Sequence, residues 1–321
     1  MMTALRLASV AVATLVVGAL LALRPWHPAP EDIPLRLAAP QRAQSALIYV
    51  AVDKGFFRDQ GLRVDLAEPA TGKIGVAAVI AGSADMAFAA QMPVIDAIVQ
   101  GRKPWILASL SHADPEVGIV AAQAVERIGD LRGKRVAVPK GTGMDVFLRV
   151  MLGNAGLALD AVEIIDLQPD DIPAALAAGR IDAASTIAPY LAQAAAALPG
   201  SRIFRSDGSF LDYWLLIAAN DLPRRAPEAI DRMLRALAMA EDYVRVHPDD
   251  FRQIWTRHLA GRMDAPTDPM FALQLDMVIV RTMTNTARIV YGPDRPPPNF
   301  AEYFYTAGLR AVRPDAVQMS P

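Results

Sequence analysis

The sequence predicts an α/β protein of two lobes, each a mainly parallel sheet covered by helices and joined by a hinge, preceded by an apolar N-terminal helix. Three observations predict it. From Leu35 to Asn220, apolar runs of strand length alternate with amphipathic runs of helix length, which implies strands buried on both faces beneath covering helices. Beyond Asn220 the pattern turns to helices only, so the chain has one more apolar strand, Tyr213 to Asn220, than its second α/β series needs. Leu7 to Leu23 is uncharged and almost wholly apolar.

Taken in order, that apolar run would span about 25 Å as a helix, between a signal-peptide core and a short membrane span. No clean small-x-small cleavage site follows it, which favours a retained inner-membrane anchor over a cleaved signal; either implies export. The proline-bearing stretch to Pro34 reads as a stiff spacer. Leu35 to Ala39 is a strand ending at Pro40, Ser45 to Gln60 a helix, Leu62 to Ala67 a strand and Gly72 to Ala81 a helix. Met86 to Ala90 is a buried strand, Pro93 to Gln100 a helix and Trp105 to Leu110 a strand. A second series runs from Val117 through Val136, Glu163 to Leu167 and Ile181 to Thr186. Pro227 to Val246, Pro248 to His258 and Pro269 to Thr284 read as helices opened by or near proline, followed by a last helix near Phe300 to Leu309. The economical arrangement makes residues 35–112 and 210–310 one discontinuous lobe and inserts residues 113–209 as the other, after a signal or anchor and spacer over 1–34. No internal repeat is evident.

The most informative stretch is Gly133 to Asp145. Arg135 to Val138 form a strand, Pro139 to Gly143 a turn and Met144 the start of a helix, so the amides of the turn converge on a helix N-terminus suited to an anion. The bland reading is a sharp βα connection that needs glycine. It is no nucleotide loop, because Lys140 precedes Gly-Thr-Gly and no Gly-Lys-Ser/Thr ending exists. A small anionic or polar molecule fits better.

Composition excludes other classes. The chain has no cysteine, hence no disulfide, thiolate metal site, catalytic thiol or lipid-modified cysteine. A formal net charge of −2 without a basic run disfavours nucleic acid. His247 and His258 lie on either side of Pro248, which breaks a single-face metal spacing, and no nucleophile elbow or cofactor motif is present.

Several segments jointly resemble the periplasmic solute-binding proteins of ABC importers, in the group that binds aliphatic sulfonates, taurine, nitrate and thiamine-pyrimidine-like solutes. They are Ala51 to Val64 (Ala-Val-Asp-Lys-Gly-Phe-Phe-Arg-Asp-Gln-Gly-Leu-Arg-Val), Ile80-Ala-Gly-Ser-Ala-Asp-Met-Ala-Phe88, Pro93 to Gly101, Asp130 to Thr142, and Ala178-Gly-Arg-Ile-Asp-Ala183 with Pro189-Tyr190. The resemblance implies a type 2 periplasmic-binding fold whose lobes close over one solute. It also implies a monomeric, non-enzymatic receptor that meets ABC permease and ATPase subunits outside the inner membrane. A tethered sensory module, or an enzyme on the same scaffold, is the competing expectation. In such folds ligands sit where strand C-termini and helix N-termini of both lobes meet. That selects Gln41, Gln44, Gln91, Met92 and Ser111 from the first lobe, and Lys140, Gly141, Thr142, Thr186 and Tyr190 from the second. One departure stands out: Ile187 and Ala188 precede Pro189 where this group commonly carries Trp and an acidic residue. A cleft without that aromatic and carboxylate is expected to take a more apolar or more strongly anionic solute.

Overall fold

The computed structural model describes residues 32–112, 117–205, 211–259, 271–292 and 294–319. The expected N-terminal helix lies outside the described residues; among those described, no helix is long and apolar enough to cross a membrane. The chain begins with β1 (Ile33–Ala38), α1 (Ala46–Asp53), α2 (Phe56–Asp59), β2 (Leu62–Ala67), α3 (Gly72–Ile80), β3 (Met86–Ala90), α4 (Gln91–Val99) and β4 (Trp105–His112). It continues with β5 (Val117–Ala121), β6 (Arg135–Val138), α5 (Gly143–Asn154), β7 (Glu163–Asp166), α6 (Ile172–Ala177), β8 (Ala183–Ile187), α7 (Tyr190–Ala197) and β9 (Arg202–Phe204). The last part holds β10 (Tyr213–Ala218), α8 (Leu222–Arg225), α9 (Pro227–Val246), α10 (Pro248–Leu259), β11 (Phe271–Asp276), α11 (Met277–Tyr291), α12 (Thr306–Val312) and β12 (Val317–Gln318).

Two sheets result. The larger runs β12-β11-β4-β10-β3-β1-β2, and the smaller β7-β6-β8-β5-β9. The larger therefore draws on both ends of the described chain, while the smaller is built wholly from residues 117–204. β3, β8 and β10 are buried at every position, as apolar runs without alternation require. The long helix α9 turns Ile230, Met233, Leu234 and Leu237 inward and packs on α1 and α12.

The sheets are mixed, which corrects the expectation of mainly parallel ones. β1 pairs in parallel with β2 and β3, but β10 is antiparallel to both β3 and β4, and β11 is antiparallel to β4. In the smaller sheet β6 is parallel to β7 and β8, whereas β5 is antiparallel to β8 and β9. The single expected helix over Ser45 to Gln60 is two, because Gly55 takes φ 74° and ends the first. Pro269 to Thr284 holds a strand before its helix: β11 precedes α11, and Asp276 between them caps the helix by accepting from the Ile279 amide at 2.9 Å.

A repeat does exist, contrary to the sequence reading. Ala81-Gly-Ser-Ala-Asp85 precedes β3 and Ala178-Gly-Arg-Ile-Asp182 precedes β8. Each glycine has positive φ, 77° and 64°, ending α3 and α6 respectively. Arg36 gives its amide and Nε to Asp85 Oδ2 (2.9 and 3.1 Å) and Nη2 to Oδ1 (3.0 Å). Arg135 does the same to Asp182 at 2.8, 3.2 and 2.9 Å. Each sheet thus contains one unit of three parallel strands, β2-β1-β3 and β7-β6-β8, clipped at the same point.

Candidate functional site

A pocket lies between the two sheets, part of it open to solvent. Topology puts it there. Parallel strands deliver their C-terminal ends to this edge, and β5 and β10, being antiparallel, deliver their first residues. From the larger sheet come Arg42 after β1, Thr71, Gly72 and Lys73 at the start of α3, Ala90 and Pro93 at the start of α4, and Asp212 and Trp214 around the start of β10. From the smaller come Val117, Thr142, Gly143 and Met144 at the start of α5, and Ile187.

Three helix N-termini therefore face one cavity, each presenting backbone amides and the positive end of its dipole. Thr71 and Thr142 are extended N-caps whose hydroxyls do not cap; Thr142 instead donates to Pro139 O at 2.7 Å. Two cations add to this field. Arg42, only 7% exposed, donates to Ala188 O at 2.8 Å and to Ala70 O at 3.2 Å, and its guanidinium lies 5.3 Å from the centre of the Tyr190 ring. Lys73 donates to Lys140 O at 2.8 Å.

One carboxylate opposes them. Asp212 is 2% exposed and reaches the N-terminus of α5, where a Cβ on Gly143 would stand 2.5 Å from its Oδ2. Only glycine admits that approach. Trp214, 5% exposed, packs on Phe88 with ring centres 5.5 Å apart, and its Nε1 has no hydrogen-bond partner among the described residues. A buried indole N–H without an acceptor costs free energy unless something fills the role.

Of the residues selected from sequence, Thr142 lines the pocket. Lys140 is exposed and does not line the pocket, and its amide donates to Asp166 Oδ1 at 3.0 Å. Gly141 has φ 73°, and its amide is taken by Asp145 Oδ2 at 3.0 Å, so the turn offers fewer free donors than expected. Gln41 turns to His258 O on α10 at 2.9 Å. Gln44, Ser111 and Thr186 are buried, each with a side-chain oxygen that lacks a partner among the described residues. Gln91 is buried beside the pocket and spends its amide on Leu211 O at 3.1 Å and Thr286 Oγ1 at 3.4 Å. Met92 is core, and Tyr190 lies beneath Arg42.

Sequence reasoning missed Arg42, Lys73, Asp212 and Trp214. Arg42 sat between two glutamines that drew the assignment, and Lys73 carries the weak signal of a base in a first helical turn after a strand. Ile187 does leave the pocket wall aliphatic at that point, but Trp214 and Asp212 supply an aromatic and a carboxylate from across the cavity. The expected shift toward an apolar or more strongly anionic solute loses its basis. Among the described residues no cluster of His, Cys, Asp or Glu can hold a metal.

Comparison with known proteins agrees with this architecture. The family model described as NMT1/THI5-like matches residues 42–251. A protein of Brucella abortus (strain 2308) named for a binding function is 28% identical over 67% of this chain and 68% of its own length. The taurine-binding periplasmic protein of Escherichia coli K12 is 26% identical over 61% of this chain and 62% of its own. Among solved structures, the alkanesulfonate-binding protein SsuA from Xanthomonas axonopodis pv. citri, bound to MOPS, superposes with a TM-score of 0.72 at 18% identity, covering 91% of this chain and all of that one. The fold is the mixed α/β periplasmic-binding fold, and the chain belongs to the NMT1/THI5-like family.

Proposed function

We propose that this chain is an extracytoplasmic receptor whose two sheets close over a small organic sulfonate bearing an amine and hand it to an ABC importer. The observation that carries the reading is the mixed charge of one cavity: three helix N-termini, Arg42 and Lys73 on one account, the buried Asp212 on the other. Sulfonate oxygens suit the amides and cations, because they stay ionised at any physiological pH and accept several donors at once. An ammonium group suits Asp212, and the neighbouring face of Trp214 suits it further. The names of the relatives, taurine-binding and alkanesulfonate-binding, support the same solute class.

Isothermal calorimetry with 2-aminoethanesulfonate and ethanesulfonate tests it. The amine-bearing solute is expected to bind about 10- to 100-fold more tightly, the worth of one charge-assisted hydrogen bond, and Asp212→Asn to erase that margin. No heat from either solute sinks the proposal. Co-purification with permease and ATPase subunits tests delivery. The protein acts as a monomer outside the inner membrane, and the mass of the mature chain decides whether residues 1–34 serve as signal or anchor.

A further inference from the structure

We infer that Lys73 and Arg42 are the latch that holds the two sheets together over the pocket before any solute arrives. This rests on the receptor reading above. Arg42 follows β1 and Lys73 lies in the first turn of α3, both on the side of the larger sheet, and each spends a donor on a backbone carbonyl of the smaller one. Lys73 bonds Lys140 O at 2.8 Å and Arg42 bonds Ala188 O at 2.8 Å. The two carbonyls lie in the β6–α5 and β8–α7 turns, so the contacts grip the smaller sheet at two separate places.

The chemistry sets a weak, reversible hold. A carbonyl is a poorer acceptor for a cation than an anion is, and Lys73 is exposed, so water competes for its ammonium. Lys73 also lies against the turn it binds: a Cβ on Gly141 would stand 3.2 Å from its Nζ. Both cations face the cavity. A solute acid placed there meets donors already drawn to the closed geometry, and its affinity reflects how often the free protein visits that geometry.

The absence of cysteine makes the test direct. Ala77→Cys on α3 and Gly153→Cys on α5, both exposed, carry a donor and an acceptor dye for single-molecule energy transfer without solute. The solute-free protein is expected to show open and closed populations. Lys73→Met, which keeps the stem and removes the donors, lowers the closed-to-open ratio about fivefold, the worth of one hydrogen bond. Arg42→Lys, which keeps the charge and loses the fork, lowers it in the same direction. A solute-free protein with no closed population overturns the latch, as does a Lys73→Met distribution equal to that of the parent, even with weakened binding. Both readouts are taken without solute, so they stand apart from failure of the receptor reading, which calorimetry reports.

Discussion

A methyl group on Gly143 has nowhere to go but into the Asp212 carboxylate, 2.5 Å away. Gly143→Ala is therefore expected to displace Asp212 and weaken binding of an amine-bearing sulfonate at least tenfold by calorimetry. The melting temperature should fall as well, since a buried carboxylate has to be displaced, and the better helix propensity of alanine offsets only part of that cost. Trp214→Phe keeps the packing against Phe88 and deletes the indole N–H, and affinity should fall about five- to tenfold. These residues show how little of the site could be read in advance. Thr142 was readable from its place in a glycine turn between a strand and a helix, although its hydroxyl is spent on Pro139 O. Gln41 and Gln91 carried the same kind of signal, yet an amide at a βα turn bonds distant backbone as readily as ligand: His258 O for one, Leu211 O for the other. Asp212 comes to the pocket through its place beside the strand β10, and nothing local in the sequence states which strand that one lies beside.

Elements were read more faithfully than residues, and their failures share a cause. Strand existence follows from local apolarity, but strand direction does not, because a strand buried on both faces looks the same parallel or antiparallel; β5 and β10 are the instances. Phe271 to Asp276 alternates apolar and smaller or polar residues over six positions, too short a run to stand out beside the fifteen-residue helix that follows. The boundary is written in one side chain. Asp276→Ala should destabilise the protein by about 1 kcal/mol in urea titration, the usual worth of an N-cap, with the binding constant unchanged. A loss well below half of that would show that Asp276 does not hold the start of α11.

Across the whole molecule, two matching arginine–aspartate clips tie stability to acid. Burial pushes the Asp85 carboxyl upward, but hydrogen bonds from the Arg36 side chain and amide and from Arg225 outweigh it and bring the pKa down from 3.8 to about 2. Asp182 is lowered as well, first by its hydrogen bond from Arg135. A carboxyl depressed on folding stabilises fully above its unfolded value, and that contribution disappears as pH falls toward the folded one. Melting temperature should thus decline between about pH 4 and pH 2, and Asp85→Asn should flatten the decline while lowering stability at neutral pH. An unchanged slope in that variant would contradict the assignment. A different consequence follows from the pairing of His112 with Tyr213 on neighbouring strands. The chain leaves the larger sheet and re-enters it at points about 5 Å apart, so a gene in which an Asn-Gly hairpin replaces residues 113–212 should still encode a cooperatively folding product. The removed piece then becomes a cassette, and exchanging it between relatives would trade the smaller-sheet wall of the pocket together with Asp212, while Arg42, Lys73 and Trp214 stay in place.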